Sequence, residues 1–332
     1  MGSDRKPLLA VIGTALLLAG GAFLAPAALA ASQAVSLSFL AYDTASPGTI
    51  ATAKLGEFVG KEVAGVRNVR TSNGGSKGNI TRIAQGKGDL AATTLDLFKA
   101  ALGGTIPYDK KVTGVSSVAL TGGLSYFYLV ALKDKGVTSL GQIKERQGSL
   151  RILTRQPGTS GELWAQRVLA KGGTGYAAVR GTGGKVVHTS NPEAVNQLRD
   201  GLADVWFAIG GNPFGPLTQL AVTHPLTFIP LPEDVRSALS SEFGYVTRAI
   251  PAGGYKGQDA AYSTLATVDI WVARQNLSPD LVYGMLKALD KHAQEYRSLH
   301  PYTKGLDLKE AGKGLPSLHP GAARFFKEKG GM

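Results

Sequence analysis

The 332-residue sequence predicts an α/β protein of two lobes with a ligand cleft between them. Three observations lead there. Strand-like and helix-like segments alternate from residue 35 to residue 102, a second alternation begins at residue 151, and two β-rich runs between them carry the chain across. Strands separated by helices build a mostly parallel sheet with helices on its faces, and such sheets bind ligands beyond the carboxyl ends of their strands. The cleft between lobes is therefore the default site. The expected divisions are residues 1–30 as a signal peptide, 31–134 as the first part of lobe 1, 135–249 as lobe 2, and 250–332 as the return to lobe 1 with C-terminal helices.

Each element has its own warrant. Residues 35–40 alternate apolar and polar side chains as a strand does, and Ile50, Ala53, Leu55 and Phe58 carry helical spacing over residues 50–63. The unit repeats as a strand at 66–71, a helix at 79–84, a strand at 89–94 and a helix at 95–102. Two β-rich runs, 112–120 and 126–132, flank Thr121, Gly122 and Gly123, and a short helix with a capping residue at its head follows Thr138 and Ser139. The second lobe opens with a strand at 151–154, helices at 160–170 and 192–199, and a buried strand at 203–209; glycines at 172–175 and 181–184 mark loops. Residues 262–273 form a long β-rich run. After it, Pro279 starts a helix whose buried stripe is Leu281, Val282, Met285, Leu286 and Leu289, and His319 and Pro320 open a last short helix.

Composition narrows the chemistry. Asp4, Arg5 and Lys6 precede an apolar run over residues 7–24, and Ala28, Leu29 and Ala30 have the small-x-small spacing of a cleavage site, so the mature chain is expected to start near Ala31 in the periplasm. With no cysteine, disulfides, thiolate metal sites and cysteine nucleophiles are excluded. The net charge of +12 is dispersed, with no basic cluster, which argues against nucleic acid and for a field that attracts small anions. His188, His224, His292, His300 and His319 offer no pair at metal-ligand spacing. Ser160 lacks the glycine two residues on that a nucleophile elbow needs, and residues 181–186 are too short for a phosphate loop, with Val186 where a magnesium-binding hydroxyl belongs. The expectation is a non-enzyme with no catalytic residues, no metal and no cofactor.

Several strand-to-helix loops read better as binding elements. Pro157, Gly158, Thr159, Ser160 and Gly161 place free N–H groups and two hydroxyls at a helix N-terminus, where the macrodipole favours an anion; an ordinary turn with an N-cap fits the same residues. Asn73, Gly74 and Ser76 form a second such loop, with Ser76 as a helix cap, and Thr94 brings a hydroxyl to a strand end. Asp89 is expected to fix its turn. Tyr42, Ser46 and Thr49 supply hydroxyls to the first loop, although Asp43 there would repel an anion and Pro47 removes a donor. Asn212, before Pro213, offers an amide across the cleft or serves only its turn. Arg155 ends a strand beside the 157–161 loop, where a planar guanidinium can clamp a carboxylate through charge-assisted bonds of about 1.5–3 kcal/mol each; Arg82 and Arg248 are the alternatives. The tract at 250–259, Ile-Pro-Ala-Gly-Gly-Tyr-Lys-Gly-Gln-Asp, which holds Tyr255, is read as structural, shaping the hinge or buttressing the cleft.

That tract, together with residues 315–326, Leu-Pro-Ser-Leu-His-Pro-Gly-Ala-Ala-Arg-Phe-Phe, resembles the signature of the TAXI group of periplasmic solute-binding proteins, the receptors of TRAP-type secondary transporters. The resemblance runs in matching order from about Leu37 to the C-terminus. It implies a type II-like periplasmic-binding-protein fold, a small organic anion such as a glutamate-like amino acid or a 2-oxo or dicarboxylic acid, and TRAP permease subunits as partners. The loops at 157–161 and 73–79 resemble the family's binding loops, while the first loop departs from its glycine-rich pattern. Two rivals stand beside this reading: a periplasmic sensory component, and an exported hydrolase using Ser160 with a histidine such as His188.

Overall fold

Alternating side chains make Val35–Ala41 a strand, β1, that buries Leu37, Phe39, Leu40 and Ala41 in the computed structural model, which describes residues 35–42 and 46–331. The expected signal segment and Asp43 lie outside the described residues. Helix α1 (Pro47–Glu62) follows with Pro47 in its first turn, where no N–H is needed. Its buried face is Ala51, Leu55, Phe58 and Val59, whereas Ile50 and Ala53 from the expected stripe are exposed. The five residues from Ile50 to Leu55 rotate the helix well past a third of a turn, so the two pairs cannot share a face.

The first half continues through β2 (Val66–Asn73), α2 (Ser76–Ala84), β3 (Leu90–Thr94) and α3 (Leu95–Gly103). Helix α2 starts three residues earlier than expected; Gly75 is its N-cap, so Ser76 lies inside the first turn and does not cap it. Strand β4 (Val115–Leu132) is one continuous 18-residue strand. The Gly122–Gly123 step that reads as a break is a bulge in the pairing with the later strand Tyr262–Arg274, and the Tyr302 ring packs where a side chain at Gly123 would stand. The second half holds α4 (Leu140–Glu145), capped by Ser139, then β5 (Arg151–Thr154), α5 (Ser160–Lys171), α6 (Tyr176–Gly181), β6 (Lys185–His188), α7 (Asn191–Arg199) and β7 (Val205–Gly210). It is completed by α8 (Gly215–Thr223), β8 (Leu226–Phe228), α9 (Glu233–Phe243) and β9 (Val246–Ile250). The chain ends with β10 (Tyr262–Arg274), α10 (Pro279–Lys291), α11 (Ala293–Ser298) and α12 (Pro320–Glu328). At the head of α12 the His319 ring accepts the Gly321 N–H, so this residue is a helix cap.

Among the described residues ten strands join one sheet, along the path β2-β1-β3-β10-β4-β7-β5-β6, with β8 added to β4 and β9 to β10. Within each half the pairing is parallel, β1 with β2 and β3, and β5 with β6 and β7. The two long strands differ. β10 runs antiparallel to β3, β4 and β9, and β4 antiparallel to β7, so the sheet is mixed at its centre. These strands are shared between separate cores. Leu37, Phe58, Met285 and Phe326 fill one face of the first half and Ile80, Phe98 and Ile270 the other. Phe127, Trp164 and Phe207 fill one face of the second half, and Tyr128, Trp206 and Leu217 the other. Tyr262 and Leu265 of β10 pack in the second half while Ile270 and Trp271 pack in the first, so the crossing lies at about Thr267. The architecture is the two-lobed α/β fold expected.

Among the described residues no helix is long and apolar enough to cross a membrane.

Candidate functional site

Hydrogen bonds lace the carboxyl ends of the strands together. The Gly74 N–H donates to the Ala41 carbonyl at 2.9 Å, joining the end of β1 to the loop before α2. The buried Asn79 amide donates to the carbonyls of Ala41 and Ala92, both at 2.9 Å, and so ties α2 to β1 and β3. Its oxygen occupies the space that a side chain at Gly74 would need, at 2.1 Å from the position of a Cβ. The Thr93 hydroxyl donates to the Ser76 carbonyl. At the end of β3, Thr94 Oγ1 lies 2.6 Å from Ser160 Oγ at the head of α5, a hydrogen bond that spans the two halves.

The 157–161 loop comes against the first half at a second point. Gly158 has φ of +78°, a conformation that favours glycine, and a Cβ there would meet Lys77 Cδ at 3.1 Å. Much of the loop caps itself. The Thr159 hydroxyl accepts the Glu162 N–H and donates to the Gln156 carbonyl, while the Glu162 carboxylate accepts the Gly158 N–H. Both readings of this segment are thus realised in part, with Thr159 as the N-cap and Ser160 as the hydroxyl directed across the halves. Helices α2 and α3 have no side-chain cap, which leaves their first-turn N–H groups without one.

Thr94, Ser160, Ser76 and Arg155 are all buried. Arg155 follows β5, and the space beside Gly161 is filled by its Cγ, so its stem packs at the base of α5. The His188 ring donates from Nδ1 to the Arg155 carbonyl at 2.9 Å, and Ser160 is engaged by Thr94, so these bonds do not build a serine–histidine dyad. Ser46 is the N-cap of α1 through its backbone, and Thr49 stands half-buried in the first turn. Asn73 ends β2, its carbonyl accepting from Arg82 at 3.3 Å. Asn212 precedes a cis proline, 3.4 Å from the Tyr128 hydroxyl. That hydroxyl donates to Gly211 and accepts from Tyr255, which in turn accepts the Phe214 N–H, so Tyr255 braces the Gly211–Phe214 turn. Asp89 likewise fixes its turn, accepting from the Ser38 N–H and from Arg274.

Tyr42 points elsewhere. Its ring lies against Gly48, and its buried hydroxyl faces Asp269 without reaching hydrogen-bond geometry. Asp269, the β10 partner of Thr94, is 1% exposed and accepts from Tyr302 and, at 3.2 Å, from Ser125. Burial pushes its carboxyl up to about 7, against the pull of the Tyr302 and Ser125 hydroxyls and with a further push from Asp96. Reading the loops as loops missed Lys77, Asn79 and Asp269. Asp269 did carry a signal, as the one acidic residue in the β-rich run Tyr262–Arg274. Among the described residues no group of three or more His, Cys, Asp or Glu side chains is placed to hold a metal ion.

Residues 46–330 match the NMT1-like family. The fold is similar to that of PhnD1 from Prochlorococcus marinus in complex with methylphosphonate, with a TM-score of 0.54 at 12% identity over 90% of this chain and 99% of that one. MatC from Rhodopseudomonas palustris with bound malate gives a TM-score of 0.54 at 12% identity, over 81% of this chain and 88% of the other. A binding protein component of an ABC phosphonate transporter from Pseudomonas aeruginosa gives 0.50 at 13% identity, over 81% and 80%. At these identities the likeness is one of fold.

Proposed function

The chain belongs to the NMT1-like family, and from that premise we propose that it is a periplasmic solute-binding receptor that closes on a small organic anion and hands it to a membrane transporter. The observation that carries this reading is the meeting of three helix N-termini, those of α2 and α3 from the first half and α5 from the second, at the Thr94–Ser160 contact. Each N-terminus directs backbone N–H groups and roughly half a positive charge at the junction, with Lys77 beside the 157–161 loop, and this favours an anion there. Contacts from both halves exist together only when the cleft is shut, which makes ligand binding favour closure.

The candidate ligand contacts are Ser76, Thr94, Arg155 and Ser160, with Ser46, Thr49, Asn73, Gly74, Thr159 and Asn212 as further candidates from the surrounding loops; Tyr42 faces Asp269 instead. The ligand class is a carboxylate, glutamate-like or a 2-oxo or dicarboxylic acid, which the motif resemblance and the malate-bound neighbour both favour. A TRAP permease is the partner that the C-terminal motifs favour; an ABC permease is the second reading, favoured by the fold shared with a phosphonate transporter component.

A thermal-shift panel of malate, 2-oxoglutarate, glutamate and methylphosphonate tests the proposal. A true ligand at a hundred times its Kd stabilises by about 2.7 kcal/mol. Stabilisation by a carboxylate supports the ligand class, and stabilisation by methylphosphonate alone moves it to phosphonates. Conversion of any of these compounds, followed by mass spectrometry, would replace the receptor with an enzyme.

A further inference from the structure

Helix α5 presents one stripe to the first half. Ser160, Leu163 and Arg167 recur at spacings of three and four, which places them on one helical face. Ser160 bonds Thr94, Leu163 packs in the first-half cluster with Phe98 and Ile270, and Arg167 reaches Asp96 in the first turn of α3 at 3.1 Å. The neighbouring flank of the same helix, with Trp164, Val168 and Leu169, belongs to the core of the second half.

The Arg167–Asp96 pair is the most completely built of these contacts. The Asp96 side chain is 1% exposed and that of Arg167 10%. Besides Arg167, Asp96 accepts from the Tyr245 hydroxyl at 3.3 Å and from Thr267 at 2.8 Å, where β10 crosses between halves. Arg167 also donates to the Tyr245 hydroxyl and lies 3.8 Å over the Phe243 ring. Tyr245 and Phe243 pack with the second half, so Asp96 draws partners from both sides of the division. Moving the halves apart would trade Arg167 and Tyr245 for water around Asp96. Keeping them together without Arg167 would bury a carboxylate without its counter-charge, which is strongly unfavourable. The pair therefore discriminates between closed and open arrangements, and it does so through side chains other than the Thr94 and Ser160 hydroxyls.

We propose that Arg167 and Asp96 form a latch that holds the two halves together independently of ligand, setting how far the empty receptor rests toward closure. This rests on the receptor reading above for its purpose but not for its test.

Because the chain has no cysteine, nitroxide labels can be placed at will, at Gln85→Cys on the first half and Glu193→Cys on the second, both exposed. Pulsed electron–electron resonance on the labelled protein, with no ligand added, compares it with Arg167→Met, which keeps a stem over Phe243. The expected result is a distance distribution shifted toward longer separations, brought back part of the way by adding Asp96→Asn, which removes the orphaned charge. An unchanged distribution in a folded Arg167→Met variant would overturn the latch. Should that variant fold poorly, Arg167→Lys carries the same test, with an intermediate shift expected and none refuting it. Adding malate or methylphosphonate to the labelled parent separates the two ideas. Failure of both to bind counts against the receptor reading, while the comparison without ligand still decides the latch.

Discussion

Replacing Asp269 with asparagine should remove a pH dependence of folding whose sign and size follow from the site. The carboxyl is 1% exposed, and its hydrogen-bond partners, Tyr302 and Ser125, are uncharged. Burial raises it to about 7 from an ordinary value of 3.8, so between those limits the folded protein holds a proton that the unfolded chain has released. Its contribution to stability is therefore full below about pH 4 and is lost as pH rises to about 7, at about 1.4 kcal/mol per pH unit, for a total of about 4 kcal/mol. Other carboxylates work in the opposite direction. Glu62, held down to about 2 by its hydrogen bonds to Lys291 and His292, contributes stability above its ordinary value and loses it in acid. Urea unfolding of parent and Asp269→Asn from pH 4 to pH 8 cancels such shared terms. The parent-minus-variant stability should fall through that range and flatten above pH 7. A difference that stays flat from pH 4 to pH 7 would show that the buried carboxyl keeps an ordinary acidity, refuting the account of this cluster.

Three further outcomes are expected. Arg155→Ala should weaken binding of the carboxylate found by the thermal-shift panel by about 1.5–3 kcal/mol in calorimetric titration, with Arg155→Lys recovering only part of the loss; because Arg155 is buried, Tm should fall as well, and unchanged affinity would remove it from the site. In a double-mutant cycle by urea unfolding, Thr94→Val and Ser160→Ala should each destabilise by about 1–3 kcal/mol through the hydroxyl left behind, while the double variant loses less than their sum; additivity would deny the bond between the halves. Gly158→Ala should lower stability by about 1–2 kcal/mol, since φ of +78° disfavours a side chain and Lys77 must move, and an unchanged unfolding midpoint would refute it.

Patterns that depend on neighbours along the chain determined much of this protein in advance. Alternating and helical periodicity located β1, β3, β5 and most of their helices, and the proline and histidine at residues 319–320 marked the head of α12, because caps and buried stripes are local demands. Where those cues run short, the reading missed elements. β6 is only four residues long, and α8 opens on a Gly-Pro pair that reads as a turn. Only tertiary structure decided the rest. The ring of Tyr302, far along the chain, fills the space beside Gly123 within β4. The antiparallel centre of the sheet depends on β10 returning between β3 and β4. Thr94 meets Ser160 and Asp96 meets Arg167 across 66 and 71 residues of chain, and no local periodicity encodes which strand ends a sheet will set side by side. The types of groups at the candidate site were visible in the sequence because loops and helix heads declare themselves locally; their partners were not, because a partner is chosen by the packing of the whole sheet.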